Sequence, residues 1–471
     1  LTKEERNQNR QRMPTPARIV LGLITLIAAG TLSLMLPFAS TGNALSFMEA
    51  LFTATSALTV TGLSIITVST DLTFAGQLIL LLLIQVGGVG YMFVAALAIS
   101  LLGRKLNLIY RLALSSSLGL DTPAAIKKVL TRSLKGIVII ESVGAAMLYW
   151  RWSALDILPE EHGLFYAIFH AISAFCNAGF DLFSGLPQYD GIPSDNISLI
   201  LLGLLIIIGG LGIPVLTELF MYQKKHKLSL HSRITLLVVL LLVVVGWVGF
   251  FVPEVTRGVL TDLSLDQQLV RTWFHSVSTR TAGFSGWPNF AEMTDASQLL
   301  TMVLMFIGSA PASMGGGITT GTLAVLLLAL RSYAAGHPSA QIAQRRIAIG
   351  TVRRAGAILT VGLTVTKYAT WLLLATHDGQ LTLSVALFEV VSAFATCGLS
   401  LGATSDLNTF GQLVIIFVMF WGRLGAVTIV VAFVKRTKAQ LVSYPEEPVL
   451  IGYMGHSDIC VITQFPQIVV G

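Results

Sequence analysis

Charged residues are scarce in this sequence. Asp, Glu, Lys and Arg make up 11% of the 471 residues, which is about half of their share in an average soluble protein. Hydrophobic residues make up 54%, and the mean hydropathy is +0.77. This composition excludes an ordinary soluble globular protein and predicts an integral membrane protein. The net charge of +6 then reports the orientation of the chain in the lipid bilayer, and nucleic-acid binding is not predicted.

Cysteines are few, and nucleotide-binding and catalytic motifs are missing. The spacing of Cys176, Cys397 and Cys460 fits no metal site, so we expect these residues to fill small apolar spaces. The sequence contains no P-loop, no Rossmann glycine fingerprint and no catalytic cluster. Residues 1–18 lack the apolar core of a signal peptide. Because nucleotide-binding and catalytic motifs are missing, neither an enzyme nor a bound cofactor is predicted.

A motif that occurs four times is the main feature that the sequence does contain. Each copy has a Phe, a Ser four residues later, and a Gly that is followed by Leu or Phe. The copies recur at intervals of about 100–120 residues, which indicates an internal repeat. The Phe and Gly pairs are Phe52 and Gly62, Phe169 and Gly179, Phe274 and Gly283, and Phe388 and Gly398.

Long apolar runs flank every copy of the motif. A helix needs about 20 residues to cross the hydrocarbon core of a bilayer. Each repeat is therefore predicted as a spanning helix, a re-entrant pore loop and a second spanning helix, which gives an all-α integral membrane fold with eight spans. The flanking runs are 17–37 and 76–102, 136–150 and 197–219, 234–252 and 298–330, and 355–375 and 411–434.

Basic residues predict the topology. Of the 30 Lys and Arg residues, 24 lie in five segments that fall on one side of the membrane if each repeat crosses it twice. That side is cytoplasmic by the positive-inside rule, so both termini are predicted inside. Two crossings keep successive repeats parallel around a central pore, whereas an odd number would invert them.

The predicted domains follow from these boundaries. Pore repeats 1 to 4 cover 17–102, 136–219, 234–330 and 355–434. Cytoplasmic linkers cover 103–135, 220–233 and 331–354, and cytoplasmic terminal segments cover 1–16 and 435–471. The tail after Tyr453 has no predicted role.

The re-entrant loops are predicted to line water, because non-helical backbone at membrane depth is tolerated only inside protein or beside water. Four glycine loops can surround a cation with carbonyl oxygens. A single glycine could equally be a helix-packing residue, but four aligned copies favour a loop. The candidate ion-binding residues are Thr59, Val60, Thr61, Gly62, Cys176, Asn177, Ala178, Gly179, Arg280, Thr281, Ala282, Gly283, Ala395, Thr396, Cys397 and Gly398.

No Asp or Glu lies among these candidates. Carboxylate rings suit divalent cations, whereas neutral carbonyl oxygens suit a weakly hydrated ion such as K⁺. A carbonyl ring of another radius would suit Na⁺, so a Na⁺ or Na⁺/K⁺ transporter stays an alternative. A secondary solute symporter is a further alternative, against which the parallel repeats argue.

Several residues inside the predicted membrane region are singled out by type. Pro311 and the glycines around it interrupt the second helix of repeat 3. Arg423 stands where repeats 1 and 2 have glycine, and a charge at that depth is a functional candidate. Arg280 is interpreted as a brace for its loop, with Glu141 as one candidate partner. Lys367 is expected to snorkel or to pair with an acid.

His170 and His275 occupy the same position in repeats 2 and 3. The other repeats have Thr53 and Glu389 there, so no ring of histidines exists. We therefore expect each histidine to form a hydrogen bond within its pore helix, and a metal site is not predicted.

The motifs, in this order, resemble the Trk/Ktr/HKT superfamily of K⁺ transporters. The segments Thr59–Leu63, Ser173–Phe180 and Arg280–Phe284 carry the resemblance, together with the fourfold plan from about residue 15 to 452. The chain is most similar to the bacterial Ktr branch, whose membrane subunit is KtrB, because the larger Trk subunits have two more N-terminal helices.

The resemblance implies a channel-like K⁺ uptake subunit in the bacterial cell membrane. Members that select K⁺ have Gly in all four loops, and Ser in the first loop is associated with Na⁺ transport; this chain has Gly62. A homodimer on a cytoplasmic ring of nucleotide-binding KtrA-type subunits is also implied. The basic segments 103–135 and 331–354 could contact that ring, although their charge equally fits the positive-inside rule.

The resemblance further implies a gate. The family has an intramembrane loop below the filter, which corresponds here to residues 308–319, and Arg423 would face the pore as an electrostatic barrier. The implied gate residues are Gly308, Ser309, Ala310, Ala312, Ser313, Gly315, Gly316, Gly317, Thr319 and Arg423.

Overall fold

The computed structural model describes residues 15–90, 126–186, 189, 191–225, 228–337, 339–342, 345–377, 379 and 381–425. The predictions for 1–14, 91–125 and 426–471, including Cys460, fall outside these residues. The elements in chain order are helices α1 Thr15–Leu34, α2 Phe47–Thr59, α3 Val68–Asp71, α4 Phe74–Val89, α5 Ile126–Ala154, α6 Gly163–Cys176, α7 Asn196–Gly210, α8 Ile213–Lys225, α9 Leu230–Thr256, α10 Leu265–Ser278, α11 Asp295–Ile307 and α12 Thr320–Ala334, strands β1 Gln341–Ile342 and β2 Arg345–Arg346, and helices α13 Ile349–Thr376, α14 Leu383–Ala395 and α15 Thr409–Leu424.

Four long helices, α1, α5, α9 and α13, are apolar enough to cross a membrane. They coincide with the predicted first spans of the four repeats. Large apolar side chains such as Trp150, Leu240 and Tyr368 are more than half exposed on them, which suits a surface that faces lipid. The protein is a helical, multi-pass membrane protein, and the short antiparallel pair of β1 and β2 is the only sheet in the described ranges.

Four short helices, α2, α6, α10 and α14, carry the repeated motif. Each has 13 or 14 residues, or about 20 Å of helix, which is too short to cross about 30 Å of hydrocarbon. Their motif phenylalanines, Phe52, Phe169, Phe274 and Phe388, are completely buried. The short helices therefore form the centre of the packed interior.

The helices pack in a closed cycle. Within each repeat the long helix packs on the short one: α1 on α2, α5 on α6, α9 on α10, and α13 on α14. The second helix of each repeat packs on the short helix of the next: α4 on α6, α7 on α10, α11 on α14, and α15 on α2. Because the last contact returns from repeat 4 to repeat 1, the four short helices surround one axis.

The predicted span 197–219 is wrong as a single straight helix. Helices α7 and α8 meet at a bend of 101°. Gly212, at the break, has a φ of +86°, and a Cβ atom there would lie 2.7 Å from the main-chain oxygen of Pro311. The Ile213 N–H donates to the oxygen of Ala312 at 3.1 Å. At this break, the main chain of repeat 2 forms a hydrogen bond with repeat 3, and the helix does not continue.

The predicted interruption of repeat 3 is present, because α11 ends at Ile307 and α12 begins at Thr320. Helices α4 and α15 lie in the predicted second spans of repeats 1 and 4, and they end at Val89 and Leu424. The number of eight spans and the exact repeat boundaries stay predictions.

Candidate functional site

The four motif glycines lie next to one another in a closed ring. A Cβ atom added to Gly62 would lie 3.1 Å from the Cα of Gly179. A Cβ atom added to Gly179 would lie 3.2 Å from the Cα of Gly283, and one added to Gly283 would lie 3.1 Å from the Cα of Gly398. A Cβ atom added to Gly398 would lie 3.0 Å from the Cα of Gly62, which closes the ring. No side chain fits between neighbouring loops, so the main chains of all four repeats approach each other directly.

Main-chain oxygens occupy the same ring. Each added Cβ atom would also come closer than 3.0 Å to the oxygen of the residue that precedes the next glycine. The residues that provide these oxygens are Thr61, Ala178, Ala282 and Cys397. The site is therefore built from four neutral carbonyl groups, one from each repeat.

A left-handed residue turns the chain two positions before each glycine. Val60, Asn177, Thr281 and Thr396 have φ values of 58°, 58°, 79° and 51°. A positive φ is unfavourable for the β-branched residues Val60, Thr281 and Thr396, so contacts around these turns must hold it, whereas asparagine adopts it more readily. At Val60, Asn177 and Thr396 this residue is also the C-cap of the short helix.

The motif serine holds the loop that follows it. Its hydroxyl oxygen accepts a hydrogen bond from the glycine N–H in repeats 1 and 4, and donates to the oxygen of the residue after the glycine in repeats 2 and 3. The bonds are Gly62 N to Ser56 Oγ at 3.1 Å, Gly398 N to Ser392 Oγ at 3.1 Å, Ser173 Oγ to Phe180 O at 2.9 Å and Ser278 Oγ to Phe284 O at 2.5 Å.

Buried polar pairs support the loops of repeats 2 and 4 from behind. The Nε2 atom of His170 lies 2.9 Å from Asp181 Oδ1, and Asp181 also accepts from the Phe183 N–H at 2.7 Å. Glu389 accepts from the Ser400 hydroxyl at 2.6 Å and from the Leu401 N–H at 3.0 Å. Each carboxylate thus binds the chain just beyond its glycine.

The histidine prediction is confirmed for His170, which bonds within its own short helix, and is wrong for His275, whose partner lies on α11. His170 also lies 2.7 Å from the oxygen of Tyr166 through Nδ1, and His275 Nε2 lies 3.1 Å from Thr301 Oγ1. No group of three His, Cys, Asp or Glu side chains that could hold a metal ion is found in the described part of the chain.

The interrupted segment of repeat 3, residues 308–319, packs against the ring. Ser309 Oγ lies 2.7 Å from Thr281 Oγ1 and donates to the main-chain oxygen of Arg280 at 3.1 Å. A Cβ atom at Gly315 would lie 2.8 Å from Thr281 Cβ, and one at Gly316 would lie 2.6 Å from Thr396 Oγ1. The glycines therefore permit close contact with the loops of repeats 3 and 4.

Arg423 joins this segment to repeat 1. Its guanidinium group donates from Nη1 to the oxygen of Met314 and from Nη2 to the oxygen of Gly87. The Nη2 atom also donates to the oxygen of Gly88 at 3.3 Å. One side chain of repeat 4 therefore holds main-chain oxygens of repeats 1 and 3.

The sequence matches the TrkH family model, which describes a cation transport protein, over residues 2–444. The chain belongs to the TrkH family of cation transport proteins. The predicted resemblance is confirmed, and the family is one of transporters and not of enzymes.

Similar proteins cover nearly the whole length of this TrkH-family chain. It is 36% identical to the potassium/sodium uptake protein NtpJ of Enterococcus hirae, over 94% of this chain and 98% of that protein. It is 34% identical to the Ktr system potassium uptake protein B of Bacillus subtilis, over 94% and 97%. The crystal structure of the potassium transporter TrkH from Vibrio parahaemolyticus has the same fold, with a TM-score of 0.70 and 19% identity over 90% of this chain and 86% of that one.

The predicted pairing of Arg280 with Glu141 is wrong in this TrkH-family structure. Glu141 accepts from Gln85 Nε2 at 3.1 and 3.2 Å. Within the described ranges, Arg151 forms an ion pair with Asp195, and His170 lies within hydrogen-bond distance of Asp181. Arg280 instead contributes its main-chain oxygen, which accepts from Ser309.

Lys367 is exposed on α13. It forms no ion pair with the residues that the structure describes. The pairing alternative is therefore wrong for this part of the chain, and the exposed position fits a side chain that snorkels toward the membrane interface.

Sequence reasoning missed Asp181 and Gln85. Asp181 follows Gly179 by two positions, where the other motif copies have serine. Gln85 lies where the corresponding helices of repeats 2 and 4 have Ile207 and Phe420. Alignment of the repeats residue by residue would have identified Asp181 as an acidic exception among serines and Gln85 as a polar exception among apolar residues. The ion-binding and gating roles of the candidate residues themselves stay predictions.

Proposed function

We propose that this chain conducts K⁺ across the bacterial cell membrane through the ring of four glycine loops. The observation that carries this proposal is the cyclic contact in which each glycine meets a main-chain oxygen of the next repeat. Carbonyl oxygens from four directions can replace the water around a cation. The eight predicted spans and four parallel repeats provide the frame for such a path.

The chemistry of the ring favours a monovalent cation. The ring-forming residues are uncharged, and the carboxylates of Asp181 and Glu389 are already engaged by hydrogen bonds behind the loops. The name of the Bacillus subtilis relative gives potassium as its ion. Na⁺ is the second candidate, because the name of the Enterococcus hirae relative gives potassium and sodium.

The segment 308–319 is proposed as the gate of this path. Its Ser309, Gly315 and Gly316 contact the ring loops, and Arg423 holds its Met314 oxygen. A segment with little regular structure can move at a lower cost than a helix that is packed along its length. Closure would correspond to the contacts seen here, and opening to their release.

Ion flux in vesicles tests the proposal directly. The purified full chain in proteoliposomes is expected to carry K⁺ at a higher rate than Na⁺, and to restore growth of a K⁺-uptake-deficient bacterium at low external K⁺. Equal rates for the two ions would favour the Na⁺/K⁺ candidate. Absence of cation flux together with absence of rescue would refute the proposal.

We also propose that the chain forms a homodimer and binds a cytoplasmic ring of nucleotide-binding subunits. Arg345, Arg346, Arg353 and Arg354 are exposed in the predicted cytoplasmic segment 331–354, and they provide a positive surface for that contact. Co-purification with the regulatory subunit should weaken when these arginines are replaced by glutamine. Retention at wild-type strength would place the contact elsewhere.

A further inference from the structure

A buried polar chain lies at the boundary between repeats 1 and 2. Glu141 is the sixteenth of the 29 residues of α5 and is 7% exposed. Both of its carboxylate oxygens accept from Gln85 Nε2. Gln85 Oε1 in turn accepts from the Cys176 thiol, with a sulfur-to-oxygen distance of 3.6 Å. A carboxylate in the middle of a membrane helix is expensive and is a functional candidate by default.

Gln85 stands beside the carbonyl groups that Arg423 binds. It precedes Gly87 by two residues and Gly88 by three, at the C-terminal end of α4. Carbonyl groups in the last turn of a helix have no partner within the helix, and that helix end is partly negative. The position of the Arg423 guanidinium group therefore depends on the position of this end of α4.

Repeats 2 and 4 lack this anchor. Ile207 and Phe420 take the place of Gln85, and Arg423 itself takes the place of Gly88. A Cβ atom at Gly88 would lie 2.5 Å from Cys176 Sγ, so the end of α4 also packs tightly against the last residue of α6. The polar anchor and the arginine thus occur at one place in the cycle, which is the boundary that α4 forms with α6.

We infer that Glu141 and Gln85 are positioning residues for the intramembrane segment. Glu141 holds Gln85, Gln85 fixes the end of α4, and the Gly87 and Gly88 oxygens then place Arg423 on Met314. This inference rests on the proposed gating role of residues 308–319. It extends that role to two residues whose side-chain hydrogen bonds, within the described part of the chain, go to neither the segment nor the four ring glycines.

Hydrogen exchange tests the positioning without any ion flux. In the purified full chain, the variants Gln85→Leu, Glu141→Leu and Arg423→Ala are each expected to speed amide exchange within 308–319. The matched control is Gln77→Leu, because Gln77 is a buried glutamine on the same helix whose Nε2 donates to the Leu72 oxygen at 3.2 Å, away from Arg423. Wild-type exchange in the Gln85 and Glu141 variants, or equal acceleration in the Gln77 variant, would overturn the inference.

Flux measurements then relate the anchor to the gate. Glu141→Leu is expected to change K⁺ flux in the same direction as Arg423→Ala, by at least about threefold, and the double variant should not exceed Arg423→Ala alone because the residues act in one chain of contacts. Glu141→Gln keeps an acceptor for Gln85 and should show a smaller change. If the fold-changes in K⁺ flux of the two single variants multiplied in the double variant, the inference would be contradicted. Faster exchange without any cation flux would refute the proposed function and leave the positioning intact.

Discussion

Arg423 and Met314 are 109 residues apart in the chain, and a hydrogen bond joins the guanidinium Nη1 atom to the main-chain oxygen of Met314. The same side chain reaches Gly87 and Gly88 in the first repeat. A planar guanidinium group suits this arrangement, since it presents several donors in fixed directions. Three distant parts of the chain therefore meet at the guanidinium group of Arg423.

Replacement of Arg423 by alanine is expected to raise K⁺ flux several-fold in proteoliposomes. The change removes bonds from a charged donor, each of which contributes about 1.5–3 kcal/mol, and it also removes a positive charge from the proposed path. Arg331→Ala, at an exposed position on α12, is the control. Flux equal to wild type at normal expression would count against a gating role for Arg423.

Gly398 and Gly402 allow a matched test of the ring, because both have a φ of +94°. Alanine at either position suffers the same left-handed strain, of about 1 kcal/mol. At 398 its Cβ atom would also lie 3.0 Å from Gly62 Cα, whereas no described atom lies within 4 Å at 402. Gly398→Ala should therefore abolish most K⁺ uptake and Gly402→Ala should preserve it. Similar losses in both variants would show that backbone strain, and not the ring contact, is responsible.

Gly62→Ser is expected to lower the ratio of K⁺ flux to Na⁺ flux. The serine Cβ atom would come closer than 3.0 Å to the oxygen of Ala178, so the neighbouring carbonyl group must move and the ring must change its dimensions. Gly42→Ser is the control, because Gly42 is exposed and has no described atom within 4 Å of the added Cβ position. Competition between the two ions in vesicles measures the ratio, and an unchanged ratio with reduced total flux would argue against a role of this position in selectivity.

Asp181→Asn is expected to lower the melting temperature by a few degrees at neutral pH. Asp181 lies in the connection between α6 and α7, outside the long spanning helices. Burial raises the pKa of its carboxyl group. Hydrogen bonds from His170, Ser184 and the Phe183 N–H lower the pKa by more than burial raises it, so the net pKa is below its ordinary value. The folded protein therefore binds this proton less readily than the unfolded chain.

The contribution of Asp181 to stability depends on pH because its pKa is lower in the folded protein than in the unfolded chain. The stabilisation is complete above the unfolded pKa of about 3.9, and it is lost as the pH falls through the lower folded value. The difference in melting temperature between wild type and Asp181→Asn should thus shrink at acidic pH. Asp262→Asn, at an exposed acid, serves as the control, and a difference that stays constant as the pH is lowered would exclude this origin.

The sequence alone determined the class of the protein, the four repeats and the positions of the four glycines. Those features depend on local composition: apolar runs require a membrane, and a motif such as Phe52 to Gly62 is recognisable wherever it recurs. The interruption around Pro311 was also predictable, because proline removes a helical hydrogen bond and several glycines nearby lower the helix propensity further.

Only the tertiary structure decided which residues meet. The contact between Gly398 and Gly62, the hydrogen bond from Gln85 to Glu141 and the contact between Gly212 and Pro311 all join segments from different repeats. The periodicity of a single segment contains no information on them. A polar side chain at membrane depth must find a partner or face water, but several partners satisfy that requirement equally well in sequence. The closed packing of four units around one axis selects among them, since it fixes the distances between segments that lie far apart in the chain.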